Sequence, residues 1–290
     1  MEVRAQIEIN ANDEITTRYF GPWIGQPSRQ LKIEQNWKFI CNCLRCKDPS
    51  DLGTYFSAVK CQTCSNQNLE NETFQNGSFN GTSTLSGYIL PIDVQVLGTT
   101  WKCNSCSKKH SVTDIECILN EVEGSLKNIE SEICNALFKK QLSNVTLCIQ
   151  ESSNMLQEKL HPNHYIMFQF KKWVSELSLP MKASIPGSNQ HETANEADRA
   201  MSCEHKIGFL ELQMKYHADV LKIVERLNPG LTINRAGHYK RIAQCRIQLS
   251  KNKMLGDPDN YTKLQHMTQM KIAMSELKQV SASFKYPEKN

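Results

Sequence analysis

Cysteine is the residue whose type and spacing could do chemistry in this chain. Seven of its twelve cysteines fall between Cys41 and Cys106, as Cys41-x-Cys43-x2-Cys46, Cys61-x2-Cys64 and Cys103-x2-Cys106. The two Cys-x2-Cys pairs offer four thiolates, the donor set of a closed tetrahedral zinc site. Such a site keeps no position for water and is structural rather than catalytic. The 38 residues between the pairs exceed the usual ~15–20. The stretch 66–87, NQNLENETFQNGSFNGTSTLSG, accounts for the excess as a polar surface insertion with few apolar anchors. Structural zinc contributes an apparent ~10–16 kcal/mol in small modules, against ~5–15 kcal/mol for the stability of a whole domain. The residues around these pairs, poor in apolar content, are therefore expected to need metal to fold.

The first cluster is different. Cys41, Cys43 and Cys46 supply three thiolates, so a fourth ligand has to come from a distant part of the fold. Without one, this site is expected to hold zinc more weakly than the second, with a position open to water or a foreign ligand. The other five cysteines, Cys117, Cys134, Cys148, Cys203 and Cys245, lie singly in helix-like sequence and read as buried small hydrophobes.

Composition narrows the remaining choices. The chain has 290 residues, 34 Lys+Arg against 30 Asp+Glu, 39% hydrophobic and 22% charged residues. That length admits about two domains. No window approaches the ~18 uninterrupted apolar residues of a membrane span, and MEVRAQIEIN has no apolar h-region of a signal peptide. Sequons at Asn71, Asn76, Asn80, Asn144 and Asn260 matter only in the secretory pathway, to which nothing here directs the chain. Paired cysteines in that setting read as thiolate metal sites in a reducing compartment, cytoplasmic or nuclear. The formal charge of +4 is too small to argue for nucleic acid.

These sites need elements to hold them. Residues 2–9 and Glu14–Tyr19 alternate or are β-branched enough to predict two strands, with a turn over Asn10-Ala11-Asn12-Asp13. Ser28 is placed to cap a helix from Arg29 to Trp37, and Tyr88–Leu97 reads as a strand into the last cysteine pair. After Thr113, a suitable N-cap, Ile115, Ile118, Leu119, Val122, Leu126, Ile129, Ile133 and Leu137 form an amphipathic stripe. Further helices are predicted over Asn144–Leu160, His164–Leu177, Ala200–Leu227, Ile233–Lys253 and Asn260–Ser283. Pro180–Asp198 reads as a loop, and the breaks are Asn228-Pro229-Gly230 and Gly256-Asp257-Pro258. The fold class is α+β: a small β and zinc region followed by an all-α, repeat-like array, with no strict sequence period.

The residues GPWIGQPSRQLKIEQNWKFICNCLRCKDPSDLGTYFSAVKCQTC, preceded by VRAQIEINANDEITTRY, resemble the end of a SET domain followed by its post-SET cysteine motif. More closely they resemble the SMYD family (SET and MYND domain proteins), in its arthropod SmydA-type branch. In that branch the first cysteine cluster is followed by a stretch like Asp48-Pro49-Ser50-Asp51-Leu52-Gly53-Thr54. Leu160-His161-Pro162-Asn163-His164-Tyr165 and Leu227-Asn228-Pro229-Gly230-Leu231 resemble that family's C-terminal helical domain. Residues 1–64 carry the specific motifs, and weaker similarity covers most of the rest.

The resemblance implies three regions: a SET remnant over 1–40, the post-SET motif and zinc-ribbon-like region with its insertion over 41–112, and a helical domain over 113–290. SMYD proteins are protein-lysine methyltransferases using S-adenosylmethionine. Tyr19 matches the tyrosine set beside the target amine, where a hydroxyl can orient the lysine nitrogen. Phe39 matches an aromatic against the cofactor's adenine. Trp37 stands where enzymatic relatives commonly have tyrosine.

The family's cofactor site is also built by a Gly-rich segment and an Asn-His-x-Cys motif, which supplies the fourth ligand of the first zinc. Neither these nor the MYND module is found here; Asn163-His164 continues with Tyr165-Ile166. The expectation is therefore a catalytically incomplete chain acting as a zinc-stabilised helical protein-interaction module. The alternative is a lysine methyltransferase completed by upstream sequence. The partner is then a protein or a protein-lysine substrate, with no membrane and no specific nucleic acid.

Other residues read as structural. Asn163 is placed to cap a helix between His161 and His164, His110 and His191 carry no motif, and Lys108-Lys109 and Lys171-Lys172 suit solvated faces. The methionines over 267–274 are spaced as core or interface filler.

Overall fold

The computed structural model describes residues 5, 7–65, 87–139, 141–177, 196–230, 232–256 and 263–284. All of the 66–87 insertion except Gly87, residues 2–4 and 6 of the first predicted strand, most of the 180–198 loop and the Asp257-Pro258 break lie outside them.

Helix α1 spans Gln26–Trp37 and α2 spans Leu44–Lys47. Four short strands follow: β1 (Val59–Lys60), β2 (Tyr88–Pro91), β3 (Trp101–Cys103) and β4 (Lys109–His110). They form one antiparallel sheet in the order β1-β2-β3-β4, with Val59 opposite Ile89, Ile89 opposite Cys103 and Trp101 opposite His110. Six longer helices complete the fold: α3 (Val112–Phe138), α4 (Leu142–Lys159), α5 (Tyr165–Glu176), α6 (Glu196–Leu227), α7 (Ile233–Gly256) and α8 (Lys263–Phe284). The α+β class and the helical C-terminal array are as the sequence predicts.

The chain divides into two compact units. One takes in Glu14–Asn128 and Glu151–Phe170; the other takes in Met1–Asp13, Ile129–Gln150 and Lys171–Asn290.

In the first unit, the backbone of 56–59 is tied to the segment before α5. His161 N–H donates to Ala58 O (3.1 Å), Tyr165 N–H to Phe56 O (2.8 Å), and Val59 bridges Leu160. Trp23 stacks on Phe168 at 4.8 Å, and Phe56 meets Phe168 edge-on at 5.5 Å. Gly25 allows this approach, since a β-carbon there would lie 2.8 Å from the Tyr165 ring. In the second unit, Val174, Phe209, Val220, Val224, Ala243 and Ala273 are buried. Gln213 donates to the carbonyls of Val174, Ser175 and Leu177 (3.2, 3.3 and 2.7 Å), satisfying groups that the end of α5 leaves open.

Several local expectations are corrected. The turn Asn10–Asp13 forms, with Asn12 at φ 73°. Neither 7–9 nor Glu14–Tyr19 is a strand, however, because no described segment pairs with them; Ile7, Ile9 and Ile15 are exposed. An alternating pattern without a partner leaves its backbone groups to water. Helix α1 starts at Gln26, with Pro27 in its first turn and no side-chain cap, rather than after Ser28. Proline's fixed φ suits that position. Strand β2 ends at Pro91, well short of Leu97.

Ser111, not Thr113, caps α3: Asp114 N–H donates to Ser111 Oγ (3.1 Å) and Ser111 N–H to the Asp114 carboxylate (2.9 Å). His164, not Asn163, caps α5, its Nδ1 accepting from Ile166 N–H at 3.2 Å. Helix α6 begins at Glu196, inside the predicted loop.

Lys171 is buried and paired with Asp219 (3.0 Å) rather than solvated. Met267 and Met274 are exposed, not core. Of the single cysteines, Cys245 is buried, Cys148 is half-buried, and Cys117 and Cys134 are exposed on the side of α3 away from its apolar stripe. The side chain of Cys203 lies outside the described set.

Candidate metal centres

Strand β1 runs into Cys61, a helical turn over 62–65 carries Cys64, and the turn after β3 carries Cys106 beyond Cys103. The sheet register thus brings the two pairs together. All four sulfurs lie within 4.8 Å of one another, with Cys61 and Cys106 at 3.7 Å and Cys64 and Cys103 at 3.7 Å. A zinc–sulfur bond of ~2.3 Å makes the edge of a tetrahedron about 3.8 Å, whereas a disulfide would need ~2.05 Å. The arrangement could hold zinc.

Backbone groups line this centre. Cys61 N–H donates to Gly87 O (2.9 Å), Asn104 N–H to Tyr88 O (2.9 Å), Tyr88 N–H to Asn104 Oδ1 (2.8 Å) and Ser105 N–H to the Cys103 sulfur (3.4 Å). A β-carbon at Gly87 would lie 2.6 Å from the sulfurs of both Cys64 and Cys103. The Lys108 N–H holds the Cys106 thiol down to about 7, while burial pushes Cys61 up to about 12 and Cys64 upward. Of these three, Cys106 is therefore the first thiolate to offer a cation, and Cys61 and Cys64 need the metal itself to release their protons.

Cys41, Cys43 and Cys46 form the second group, their sulfurs within 4.8 Å of one another; Cys43 is exposed, Cys41 half-buried and Cys46 buried. Among the described residues no fourth His, Cys, Asp or Glu joins them. The hydrogen bond from Cys46 holds Cys43 down to about 5 and pushes Cys46 up. The buried side of α1 supports this group, and that side is largely polar: Gln26, Arg29, Gln30 and Ile33. Gln30 grips Cys41 twice, donating to its carbonyl (2.8 Å) and accepting from its N–H (3.0 Å).

Arg29 makes two bonds to Asp51 (2.9 and 3.0 Å), and Arg45 Nε a third (2.6 Å). Asp51 sits in a loop where Asp48 accepts from Ser50 N–H and Leu52 N–H (both 2.8 Å). Residues Asp51, Leu52, Gly53 and Tyr55 of that loop have positive φ.

Tyr19, Trp37 and Phe39 also come together. Tyr19 meets Trp37 at 5.0 Å and Phe39 at 5.3 Å, both edge-on, and Phe20 meets Trp37 at 4.9 Å. Tyr19, Trp37 and Phe39 remain 47%, 43% and 37% exposed, so these rings pack on one another without being enclosed.

Gly87, Arg29, Gln30 and Asp51 carry no functional role in the sequence reading. Gly87 sits in no motif. The polar residues of α1 recur at i, i+3 and i+4, a signal that ordinarily marks a solvent face. The segments Asp48–Thr54 and Leu160–Tyr165 stand out in sequence, but their contacts are long-range.

The fold and these centres define an α+β chain with clustered thiolates and a helical array. Parts of its sequence are similar to SET-domain proteins. It is 29% identical over 106 residues to SET domain-containing protein SmydA-8, isoform A, of Drosophila melanogaster, a match covering 36% of this chain and 18% of that protein. It is 27% identical over 145 residues to histone-lysine N-methyltransferase SET5 of Candida glabrata, covering 50% of this chain and 27% of that protein. Over 48 residues it is 44% identical to SET5 of Meyerozyma guilliermondii, covering 17% of this chain and 10% of that protein. The matches thus span no more than 27% of these relatives' own length. No protein-family profile matches the chain. No helix among the described residues is long and apolar enough to cross a membrane.

Proposed function

We propose that this chain is a zinc-stabilised helical protein-interaction module of the SET-related kind, and that it does not by itself hold S-adenosylmethionine. The observation that carries this reading is the clustering of four sulfurs within 4.8 Å of one another, a closed donor set that suits bracing and leaves no reactive position. Cys61, Cys64, Cys103 and Cys106 are its ligands; Cys41, Cys43 and Cys46 make a second, three-thiolate site. The region over 113–290 presents the helical surface, and its partner is a protein in the cytoplasm or nucleus. Tyr19, Trp37 and Phe39 bear on the negative half: their rings pack edge-on against one another and stay half-exposed. Calorimetry with S-adenosylmethionine tests it. No binding stronger than about millimolar is expected, and micromolar affinity would overturn it.

A second reading is favoured by the contact between Tyr19 and Phe39, the two residues the resemblance assigns to the amine and the adenine. In it the chain is part of an S-adenosylmethionine-dependent protein-lysine N-methyltransferase completed by further sequence. Methyl transfer to lysine peptides by the complete gene product, lost in Tyr19→Phe, would support this reading.

A further inference from the structure

Beneath the three-thiolate group lies a charged assembly that the zinc reading does not use. Asp51 is fully buried and is held by Arg29, 5% exposed, and by Arg45. Arg45 stands between Cys43 and Cys46 in the chain. The Nε of Arg29 is buried with no hydrogen-bond partner. Arg18 adds a further cation near Arg45.

We infer that Arg29, Asp51 and Arg45 are positioning residues of the Cys41/Cys43/Cys46 centre, a buried outer sphere that balances its charge and fixes Cys46. The inference rests on the proposed metal at that centre. Charge arithmetic is its first support. A dication held by three thiolates carries one net negative charge, whereas guanidinium groups flanking a single carboxylate carry a surplus of positive charge. The cationic surplus is costly where it is buried, and an anionic centre beside it compensates.

The second support is geometric. Neighbouring residues of α1 serve the same centre from one side: Gln30 clamps the Cys41 backbone, and Arg29 holds Asp51 together with Arg45, the residue before Cys46. The third is the backbone. Asp51 has φ 56° and Leu52 φ 62°, a conformation that side chains other than glycine seldom adopt and that persists where the surroundings impose it. The assembly also runs through Arg45, which stands beside Cys46 on α2, so it holds the ligand's own helix and not the loop alone. Outer-sphere partners of this kind orient ligands and tune the metal.

The test uses the full chain with its tight centre filled by zinc and its weaker centre by cobalt(II), whose sulfur-to-metal charge-transfer band reports on the thiolates. Arg29→Lys and Asp51→Asn are expected to lower cobalt affinity at the weaker centre by about 10–100-fold and to move that band. Zinc release from the tight centre and helical content should not change. Arg45→Gln, at the edge of the assembly, provides a milder change should the buried variants not fold, and it is expected to shift the band in the same direction. An unmoved band and unchanged affinity in folded variants would reduce the assembly to a loop brace and overturn the inference. Binding of one metal per wild-type chain would instead remove the first-centre reading, and the inference with it.

Discussion

Gly87 lies so close under Cys103 that a β-carbon would come within 2.6 Å of its sulfur, and within the same distance of Cys64. Real β-carbons do not approach atoms that closely, and these sulfurs cannot both retreat without opening the tetrahedron. Gly87→Ala is therefore expected to weaken zinc at Cys61/Cys64/Cys103/Cys106 by tenfold or more, about 1.4 kcal/mol at least. Competition with a chromogenic chelator measures it, and wild-type affinity in the variant would show that the centre does not need the space.

The two centres should part company under chelation. The four-sulfur group closes its own shell, whereas among the described residues no fourth ligand joins Cys41, Cys43 and Cys46. Chelator titration with zinc release as readout is expected to give two steps, with Cys43→Ser abolishing only the labile one. A single tight release of two zinc ions would mean that a fourth ligand completes the first centre.

Helix α3 is started by a reciprocal pair, Ser111 and Asp114. Ser111→Ala is expected to destabilise the chain by about 1 kcal/mol, measured by urea unfolding. Thr113→Ala removes only a hydroxyl contact to Ser111 (2.7 Å) and should cost less. The reverse order would return the cap to Thr113.

His217 and His238 face each other across 3.1 Å through their Nδ1 atoms, and burial holds both at about 4 against an ordinary 6.5. The unfolded chain therefore takes up protons between about 6.5 and 4 that the native pair refuses. Stability from this pair is full above that window and falls as pH drops through it, by at most about 1.4 kcal/mol per unit and per histidine. Comparing unfolding of wild type with His217→Gln/His238→Gln at about pH 7 and pH 5 isolates the pair. Equal acid sensitivity in the two proteins would remove it as the cause.

Periodicity and punctuation carry most of the fold. The six helices of the array fall where the apolar spacing and the Pro/Gly breaks put them, because a buried stripe at 3.6-residue spacing is a local property. The stripe on α3 shows it, with Ile115, Val122, Ile129 and Ile133 buried and Cys117 and Cys134 outside. Pattern misleads where it depends on a partner. Residues 7–9 alternate and 14–19 are β-branched like strands but have no described neighbour to pair with, and the polar residues of α1 look solvent-facing yet are buried against Ser57, Val94, Cys41 and Asp51.

By itself the sequence settled the chemistry on offer: soft thiolate donors in two groups, one of four and one of three, ahead of a helical array. Donor type and short spacing are written in consecutive residues, so no fold is needed to read them. Only the tertiary structure decided how those donors meet. The antiparallel register of β1, β2 and β3 brings the four sulfurs together beside Gly87, and α1 brings Gln30 to Cys41 and Arg29 to Asp51. Such contacts join residues tens of positions apart, and their existence depends on backbone paths and burial that local spacing does not encode.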